Sequence, residues 1–338
     1  MRLLICTQTL DSNDPILGFF HRWVEEFSKY FESIIVVCLK EGEHHLPSNV
    51  RVLSLGKEHG SSRLVRIIRF FSYIYKHQSE YDAVFVHMNP EYVVLGGFFW
   101  RIWHKRVALW YVHKSVTLRL RIAVRLVHIV FTASKESFRL STHKLRIIGH
   151  GIDTAAFKPD IPQSGVGLRI ITVGRISPSK RLQEMLFVLD ILHARKVHFR
   201  FTIVGTPTND PEQAYVRLLQ KEVARRPYTS AVEFAGAISQ EKLPSLLNKE
   251  DIFINLSLTG SLDKAVLEAL ACGVPVVTTN EAFKSLIAPG LYVCPSEPHA
   301  IAEKIISVKD VNRASLHSYM REHYSLERLI PTIEKAYH

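Results

Sequence analysis

IFINLSLTGSLDKAVLEALACGVPVVTT, residues 252–279, contains the pattern that decides the fold of this chain. An apolar strand enters a turn at Gly260, a helix follows, and Gly273 and Pro275 end that helix before a second apolar strand. This strand–helix–strand order is typical of a parallel α/β sheet. Backbone N–H groups at the start of such a helix suit phosphate, and the carboxylate of Glu268, set among small and apolar residues, needs polar partners such as ribose hydroxyls. The stretch therefore predicts a nucleotide-binding loop and helix.

The same alternation of strands and helices runs through the whole chain. The strands are near-continuous apolar runs, as in parallel sheets that are covered on both faces. Residues 158–167, KPDIPQSGVG, interrupt the alternation with a polar stretch that favours a linker. Because 338 residues is long for one domain, we predict two doubly wound, Rossmann-like α/β domains that face a cleft. Residues 1–160 form the predicted first domain, with a C-terminal helix at about 322–338 packing back on it, and residues 161–321 form the second.

Composition favours a globular protein with an anionic partner. The chain has 43 Lys and Arg against 32 Asp and Glu, a formal net charge of +11. A nucleotide, a nucleic acid or a membrane surface would match this charge, but no nucleic-acid-binding motif is present. No apolar run reaches the ~20 residues that span a bilayer, and the first residues show no signal-peptide pattern. Scattered cysteines without metal-ligand spacing indicate buried thiols in a reducing compartment, so we expect a cytoplasmic protein. These cysteines are Cys6, Cys38, Cys272 and Cys294.

The basic surplus concentrates in two segments of the predicted first domain. Residues 62–77 predict an amphipathic helix with an apolar stripe facing the core and a cationic face opposite. The predicted apolar stripe comprises Leu64, Ile67, Ile68, Phe71, Ile74 and Tyr75. The predicted cationic face comprises Arg63, Arg66, Arg69, Lys76 and His77, and residues 117–125 add Arg119, Arg121 and Arg125. Two such segments predict peripheral binding to an anionic membrane, and a core-packed helix with a solvated basic side is the alternative.

Four further segments carry recognisable motifs: GHGIDTAAFKP at 149–159, TVGRISPSKR at 172–181, FTIVGT at 201–206 and FAGAISQEKLPSLL at 234–247. Together with residues 252–279 they resemble the retaining GT-B glycosyltransferases of glycosyltransferase family 4. The resemblance covers nearly the whole chain. It implies the GT-B fold and the transfer of a sugar from a nucleotide sugar with retention at the anomeric carbon.

The resemblance also implies a donor site in the second domain. Its nucleotide-sugar-binding residues are expected to be Gly174, Arg175, Lys180, Gly205, Gly236, Asp263, Lys264 and Glu268. Arg175 and Lys180 are assigned a catalytic role as well, because a guanidinium and an ammonium stabilise the charge that develops on a departing diphosphate. The family usually has a glutamate at the position of Gly260, and Asp263 and Lys264 are the local candidates to replace it. Asp263 alternatively caps the helix that begins there.

Three strand ends of the first domain supply further candidates. His113 follows an apolar strand, at the carboxyl edge where open α/β sheets bind ligands. Family members have a histidine at the matching strand end, close to the transferred sugar, so we assign His113 a catalytic role. His87 and Asn89, at a second strand end, and Gly18, in the loop after the first strand, are candidates for the acceptor side.

The sequence therefore predicts a retaining glycosyltransferase of cell-envelope glycan synthesis, peripheral on the inner face of the cell membrane. It would move a sugar from a UDP- or GDP-sugar to a lipid-linked or polysaccharide acceptor. No metal is expected, because no paired-aspartate motif is placed to hold one on the diphosphate. Two alternatives stay open: a nucleotide-sugar 2-epimerase on the same fold, and a non-catalytic glycosyltransferase-like partner protein.

Overall fold

The computed structural model describes residues 1–14, 16–160, 167–257, 260–284, 286, 288–308 and 311–338. The chain divides into two compact units, and we describe each by itself. Unit 1 comprises Met1–Gly151 and Leu326–His338, and unit 2 comprises Ile152–Ser325. The sequence placed the first division at the polar stretch near residue 160. In the structure it comes earlier, because Ile152 already pairs with Ser325 inside unit 2.

Unit 1 contains a seven-stranded parallel sheet in the order β3-β2-β1-β4-β5-β6-β7. The chain begins inside the sheet, winds to one edge, and then crosses to wind to the other edge, which makes it doubly wound. The strands are β1 (Leu3–Leu10), β2 (Ile34–Glu41), β3 (Val50–Ser54), β4 (Ala83–His87), β5 (Arg106–Trp110), β6 (Ile129–Thr132) and β7 (Leu145–Ile147). The helices between them are α1 (Phe19–Phe27), α2 (Arg63–Lys76), α3 (Pro90–Ile102) and α4 (Leu118–Leu126).

Unit 2 repeats the architecture with six parallel strands in the order β10-β9-β8-β11-β12-β13. Its strands are β8 (Leu168–Val173), β9 (Phe199–Val204), β10 (Val232–Gly236), β11 (Ile252–Asn255), β12 (Val276–Thr278) and β13 (Leu291–Val293). Its helices are α5 (Leu182–Ala194), α6 (Asp210–Ala224), α7 (Leu243–Leu247), α8 (Lys264–Ala271), α9 (Pro298–Ser307) and α10 (Arg313–Tyr324). The two parallel α/β sheets predicted from the sequence are confirmed. None of the helices in the described ranges has the length and apolar content needed to cross a bilayer.

Burial on both faces explains why the strands are continuous apolar runs. Every residue of β4, β6 and β11 is buried. Phe85, Phe131 and Phe253, one from each of these strands, are fully buried. A polar group in the middle of such a strand would lose water without a compensating partner, and each of these three strands has its only polar side chain at its carboxyl end.

The last helix, α11 (Leu326–Lys335), belongs to unit 1 and packs on α1. Leu329 lies so close to Gly151 that a Cβ on this glycine would come within 2.7 Å of its side chain. Beyond the helix, the hydroxyl of Tyr337 donates to the carbonyl of Val84 at 2.8 Å. The C-terminal residues are thereby anchored to β4 at the centre of unit 1.

The structure corrects the predicted orientation of α2. Leu64, Ile68 and Tyr75, which were predicted to pack inward, are 68%, 59% and 67% exposed. Arg69, which was predicted to lie on the cationic face, is half-buried and donates to the carbonyl of Leu55 at 3.1 Å. The predicted division into a packed apolar stripe and a cationic face is therefore wrong at these four positions, although Ile74 is buried as predicted.

The reason lies in an aromatic residue that the predicted stripe omitted. Phe70 is buried, with its ring centroid 5.4 Å from that of Tyr92 and 6.1 Å from that of Trp100. Apolar residues occupy more than half of the circumference of α2, so two different stripes could have faced the core. The stripe that is buried is the one that contains Phe70, because that ring packs against the aromatic side chains of α3.

A buried carboxyl in unit 2 makes the stability of the protein depend on pH. Glu250 is 4% exposed, and its Oε2 has no hydrogen-bond partner among the described residues. Burial raises the pKa of Glu250 to about 7, against an ordinary value of 4.5, although Arg200 and Arg169 oppose the rise. A carboxyl whose pKa is higher in the folded state stabilises the fold below its unfolded-state pKa, and this contribution is lost as the pH rises through 7.

We expect Glu250→Gln, which keeps the shape without the charge, to be more stable than the wild type at pH 8. The gain over the wild type should grow by about 2–3 kcal/mol between pH 5 and pH 8, because each pKa unit corresponds to about 1.4 kcal/mol. Urea unfolding of both proteins at the two pH values measures this difference. A difference that does not change with pH would show that Glu250 titrates normally in the folded protein.

Candidate functional site

Three glycines end neighbouring strands of the unit 2 sheet at its carboxyl edge. Gly174 follows β8, Gly205 follows β9 and Gly236 ends β10, and all three have positive φ angles. The N–H of Gly174 donates to Val204 and the N–H of Gly205 donates to Gly236, at 3.0 and 2.8 Å. A Cβ on Gly205 would lie 1.9 Å from the carbonyl oxygen of Gly174, so no side chain fits there. The glycines bring three loops together at this edge.

Arg175 and Lys180 lie on the loop that leaves the first of these glycines. The loop contains a short 3-10 turn, Pro178–Lys180, and then Arg181 in the left-handed conformation at φ 55° before α5 begins. The left-handed conformation favours glycine, and arginine adopts it here. The Nε of Arg175, on a half-exposed side chain, lies 3.4 Å from a carboxylate oxygen of Glu212.

Asp263 connects this loop to the start of α8. Its carboxylate accepts from Nζ of Lys180 at 3.0 Å and from Nδ2 of Asn255 at 2.8 Å. Asn255 ends β11 and in turn accepts from the hydroxyl of Thr278 on β12 at 3.1 Å. Asp263 occupies the N-cap position of α8 but makes no side-chain capping hydrogen bond. The alternative that Asp263 serves as a side-chain cap is therefore wrong, and its carboxylate instead holds a cation of the predicted donor site.

Glu268 and Lys264 form a second ion pair, one turn apart on α8. Glu268 is 3% exposed, and the same carboxylate oxygen that contacts Lys264 accepts from Nε2 of Gln240 at 2.6 Å. Lys264 lies 6.0 Å from the ring centroid of Phe157, within range of a cation–π contact. The buried carboxylate thus has polar partners within unit 2.

In unit 1, a pocket of about 480 Å³ contains three of the residues predicted for the first domain: His113, His87 and Asn89. β5 ends at Trp110, so His113 lies in the loop that follows the strand and not at the end of the strand itself. Its side chain is exposed. Nδ1 of His113 accepts from the N–H of Ser115 at 3.0 Å. The neutral imidazole therefore carries its proton on Nε2.

His87 lines the same pocket but is itself only 1% exposed. Its ring stacks on Phe20 with centroids 3.9 Å apart, and its Nδ1 is 3.2 Å from the hydroxyl of Thr7. Burial, assisted by His150, lowers the pKa of His87 to about 3, so the ring is neutral at physiological pH. His87 is therefore mainly a packed core residue beneath this pocket.

Asn89 and Gly18 have different structural roles. Asn89 precedes α3 at the N-cap position without a side-chain capping bond, and its half-buried side chain borders the pocket. Gly18 precedes α1, and a Cβ there would lie 2.6 Å from the carbonyl oxygen of Asp14. The carboxylate of Asp14 also accepts from the N–H groups of Ile16 and Leu17. Gly18 thus permits a tight loop at the pocket wall.

Sequence reasoning missed three residues that hold the unit 2 site in place. Glu212 accepts from the N–H and hydroxyl of Thr208, both at 2.8 Å, beside Arg175. Asn255 had a detectable signal, since it is the polar residue that ends the apolar run IFIN. Gln240 had none, because nothing local indicates that a loop side chain reaches a helix near residue 268. Among the described residues, no group of three or more His, Cys, Asp or Glu side chains is placed to hold a metal ion.

Comparison with known proteins identifies the family of this site. Residues 167–310 match the family model Glycosyl transferases group 1. Unit 2 belongs to the glycosyl transferases group 1. The match contains the strand-end glycines, Arg175 and Lys180, and the whole of α8. The family predicted from the sequence motifs is confirmed.

The curated relatives of this chain include two glycosyltransferases, each matched over part of its length. A phosphatidylinositol N-acetylglucosaminyltransferase component from Arabidopsis thaliana is 27% identical over 205 residues, which are 59% of this chain and 44% of the relative. A putative colanic acid biosynthesis glycosyltransferase, WcaL, from Salmonella typhimurium is 24% identical over 186 residues, 52% of this chain and 44% of the relative. The chain thus spans less than half the length of each of these relatives.

Solved structures show the fold over the full length. HepE from Anabaena, solved in complex with UDP, superposes with a TM-score of 0.78 over 99% of both chains at 17% identity. Sucrose-phosphate synthase from Thermosynechococcus elongatus gives 0.77 over 100% of this chain and 98% of its own, at 13% identity. At such identities the likeness establishes the fold alone, and that fold is GT-B, as predicted.

In this glycosyl transferases group 1 unit, Asp263→Asn is expected to lower the free energy of unfolding by about 1–3 kcal/mol. The variant leaves Lys180, whose side chain is only 19% exposed, without its carboxylate. Glu233→Gln is the matched control, because it breaks an ion pair with Arg200 in which both side chains are at least half exposed, and it should cost less than about 1 kcal/mol. Urea unfolding of the three proteins measures the difference. Equal stability of the two variants would mean that the Lys180–Asp263 pair does not hold this loop.

Proposed function

We propose that this chain is a retaining glycosyltransferase that moves a sugar from a UDP- or GDP-sugar to a lipid-linked or polysaccharide acceptor in cell-envelope glycan synthesis. One observation carries the proposal: the carboxyl edge of the unit 2 sheet brings Arg175 and Lys180 together with the start of α8. Open α/β sheets bind ligands at this edge, and helix N-termini suit phosphate. All of these residues lie in the segment that matches the glycosyl transferases group 1.

The proposed chemistry follows from the charge of these groups. As the bond between the sugar and the diphosphate breaks, negative charge grows on the diphosphate. Arg175 and Lys180 stabilise that charge, so no metal is assigned to the reaction. Glu268 accepts hydrogen bonds from the ribose hydroxyls, with Gln240 orienting the carboxylate. Asp263 holds Lys180 in place and takes over the role of the acidic residue usually found at the position of Gly260.

The proposed acceptor side is the His113 pocket of unit 1. His113 offers Nε2–H to a sugar or acceptor hydroxyl, because its Nδ1 is occupied by the N–H of Ser115. The acceptor class takes support from the names of the relatives, one of which acts on phosphatidylinositol while the other belongs to colanic acid biosynthesis. A non-catalytic partner protein is the second candidate, favoured by Gly260 in place of the usual glutamate.

Turnover by wild type and variants tests the proposal. Purified protein with UDP- and GDP-sugars and a bacterial envelope lipid extract should release the matching nucleoside diphosphate only when the extract is present. Arg175→Ala and Lys180→Ala should each lower the rate by about 10²–10³-fold, the usual effect of removing one group that stabilises transition-state charge. NMR of the product should show the anomeric configuration of the donor.

Nucleotide binding provides the internal control for turnover. UDP or GDP should raise the melting temperature, and Glu268→Gln should weaken binding by about 1–3 kcal/mol in titration calorimetry. Binding without any turnover would favour the non-catalytic partner. Release of UDP from a UDP-sugar without the lipid extract would favour the 2-epimerase. Wild-type rates in both cation variants would remove Arg175 and Lys180 from the mechanism.

The proposal places the protein peripherally on the inner face of the cell membrane. Large apolar side chains are exposed on two neighbouring helices of unit 1, which we call the α2–α3 apolar surface. It comprises Leu64, Ile68 and Tyr75 of α2, and Phe98, Phe99 and Ile102 of α3. Ring contacts join the two helices, with Phe71 and Phe99 centroids 5.7 Å apart. Exposed cations, Arg63, Lys76 and Arg101, lie on the same helices. An apolar surface bordered by cations suits an anionic bilayer interface.

We expect the protein to bind vesicles that contain anionic lipid, more tightly at 0.1 M than at 1 M salt, because the Debye length falls from ~10 to ~3 Å. Ile68→Ser combined with Phe98→Ser should weaken binding at least about tenfold, since each buried apolar side chain contributes about 1.5–3 kcal/mol. Leu218→Ser, at an exposed leucine of α6 in unit 2, is the matched control and should bind like the wild type. Vesicle sedimentation measures all three. Unchanged binding of the double variant would show that this surface does not contact the membrane.

A further inference from the structure

A second pocket in unit 1 lies between α2 and α3, with a volume of about 430 Å³. This size falls within the range of small-molecule binding sites. Most of its wall is apolar and comes from the ends of the early strands and from both helices. The apolar wall comprises Leu39, Leu55, Ile67, Phe70 and Leu95. Such a wall favours a hydrocarbon chain.

The same pocket carries an excess of positive charge. Arg63, Arg66 and Arg119 line it together with a single carboxylate, Glu91. Glu91 is already paired with Arg119 at 2.7 Å. Arg66 is half-buried, and no ion pair joins it to a described residue. A guanidinium removed from water without a counter-ion is costly, so the pocket favours an anion.

The pocket also adjoins the proposed acceptor side. Gln8, Asn89 and Glu91 line both this pocket and the pocket that contains His113. On its other side, Leu95 lies one helical turn from Phe98 and Phe99 of the α2–α3 apolar surface, and Ile67 is next to Ile68. The pocket therefore lies between a surface that suits a bilayer and the histidine proposed to face the reacting sugar.

We propose that the α2–α3 pocket binds the phosphate end of a lipid acceptor. The hydrocarbon chain contacts the apolar wall and leaves along the exposed side chains of α2 and α3. The phosphate pairs with Arg66 and Arg63, and the part of the acceptor beyond the phosphate reaches the His113 pocket. This inference rests on the proposed glycosyltransferase function, and it selects a phosphate-linked lipid over a free polysaccharide as the acceptor.

Binding of decyl phosphate to the full chain tests the inference without any donor or turnover. Titration calorimetry below the micelle concentration should show one saturable site. Inorganic phosphate and decanol should each bind at least about tenfold more weakly, because each offers only half of the recognised chemistry. Equal binding of inorganic phosphate would show a simple anion site, and equal binding of decanol a simple apolar cavity; either result overturns the proposal.

Two variants locate the site by different physical routes. Arg66→Gln removes the charge and should weaken decyl phosphate about tenfold, the effect of losing one charge-assisted contact. Leu95→Trp fills the cavity without changing the charge and should abolish saturable binding. Arg121→Gln, at an exposed arginine of α4 that does not line the pocket, is the matched control and should bind like the wild type. Wild-type affinity in both pocket variants would place the ligand elsewhere and overturn the proposal.

Nucleotide binding separates this test from a failure of the proposed function. The predicted nucleotide residues all lie in unit 2, whereas Arg66, Leu95 and Arg121 lie in unit 1. Unchanged urea unfolding of the three variants would show that they are folded, and unchanged stabilisation by UDP or GDP would show that unit 2 still binds nucleotide. If the wild type bound decyl phosphate in this pocket but bound no nucleotide, the result would support the lipid site and contradict the proposed glycosyltransferase function.

Discussion

Burial of the parallel strands on both faces is the constraint on which the rest of the structure depends. Since β4, β6 and β11 have no exposed residue, these strands offer no face on which polar chemistry could be built. Their polar side chains lie where the strand ends and the backbone leaves the sheet. At the carboxyl edge of unit 2, the tight approach of Gly174 and Gly205 makes that exit possible. The candidate site therefore lies where the fold permits charge.

The features that depend on local sequence pattern could be predicted from the sequence alone. Continuous apolar runs predicted the strands of both sheets, although β5 ends at Trp110 and not at His113, where the apolar run ends. The glycine and proline after α8 marked its end, because glycine at φ 75° and a following proline both terminate helices. A sequence motif predicted that Arg175 and Lys180 lie on one loop, because the two residues are only five positions apart.

Features set by distant side chains could not be predicted in the same way. Asp263 meets Lys180 across 83 positions of sequence, and Gln240 meets Glu268 across 28, so no local spacing indicates either contact. The prediction of which side of α2 faces the core failed for a related reason. Its apolar residues allow two stripes, and the choice depends on Phe70 finding Trp100 on another helix. Periodicity gives the possible faces of a helix, while packing against the remainder of the core selects one.

Each cation of the unit 2 site is held by a carboxylate of the same unit, and this affects how a donor would bind. Lys180 pairs with Asp263, Arg175 with Glu212 and Lys264 with Glu268. A neutral sugar would attract these cations less strongly than the carboxylates with which they already pair. A diphosphate offers them at least as much charge, while Asn255 keeps the carboxylate of Asp263 in position. Under the proposed function, the internal pairs therefore favour ligands with a diphosphate over free sugars, and they orient the cations before the donor arrives.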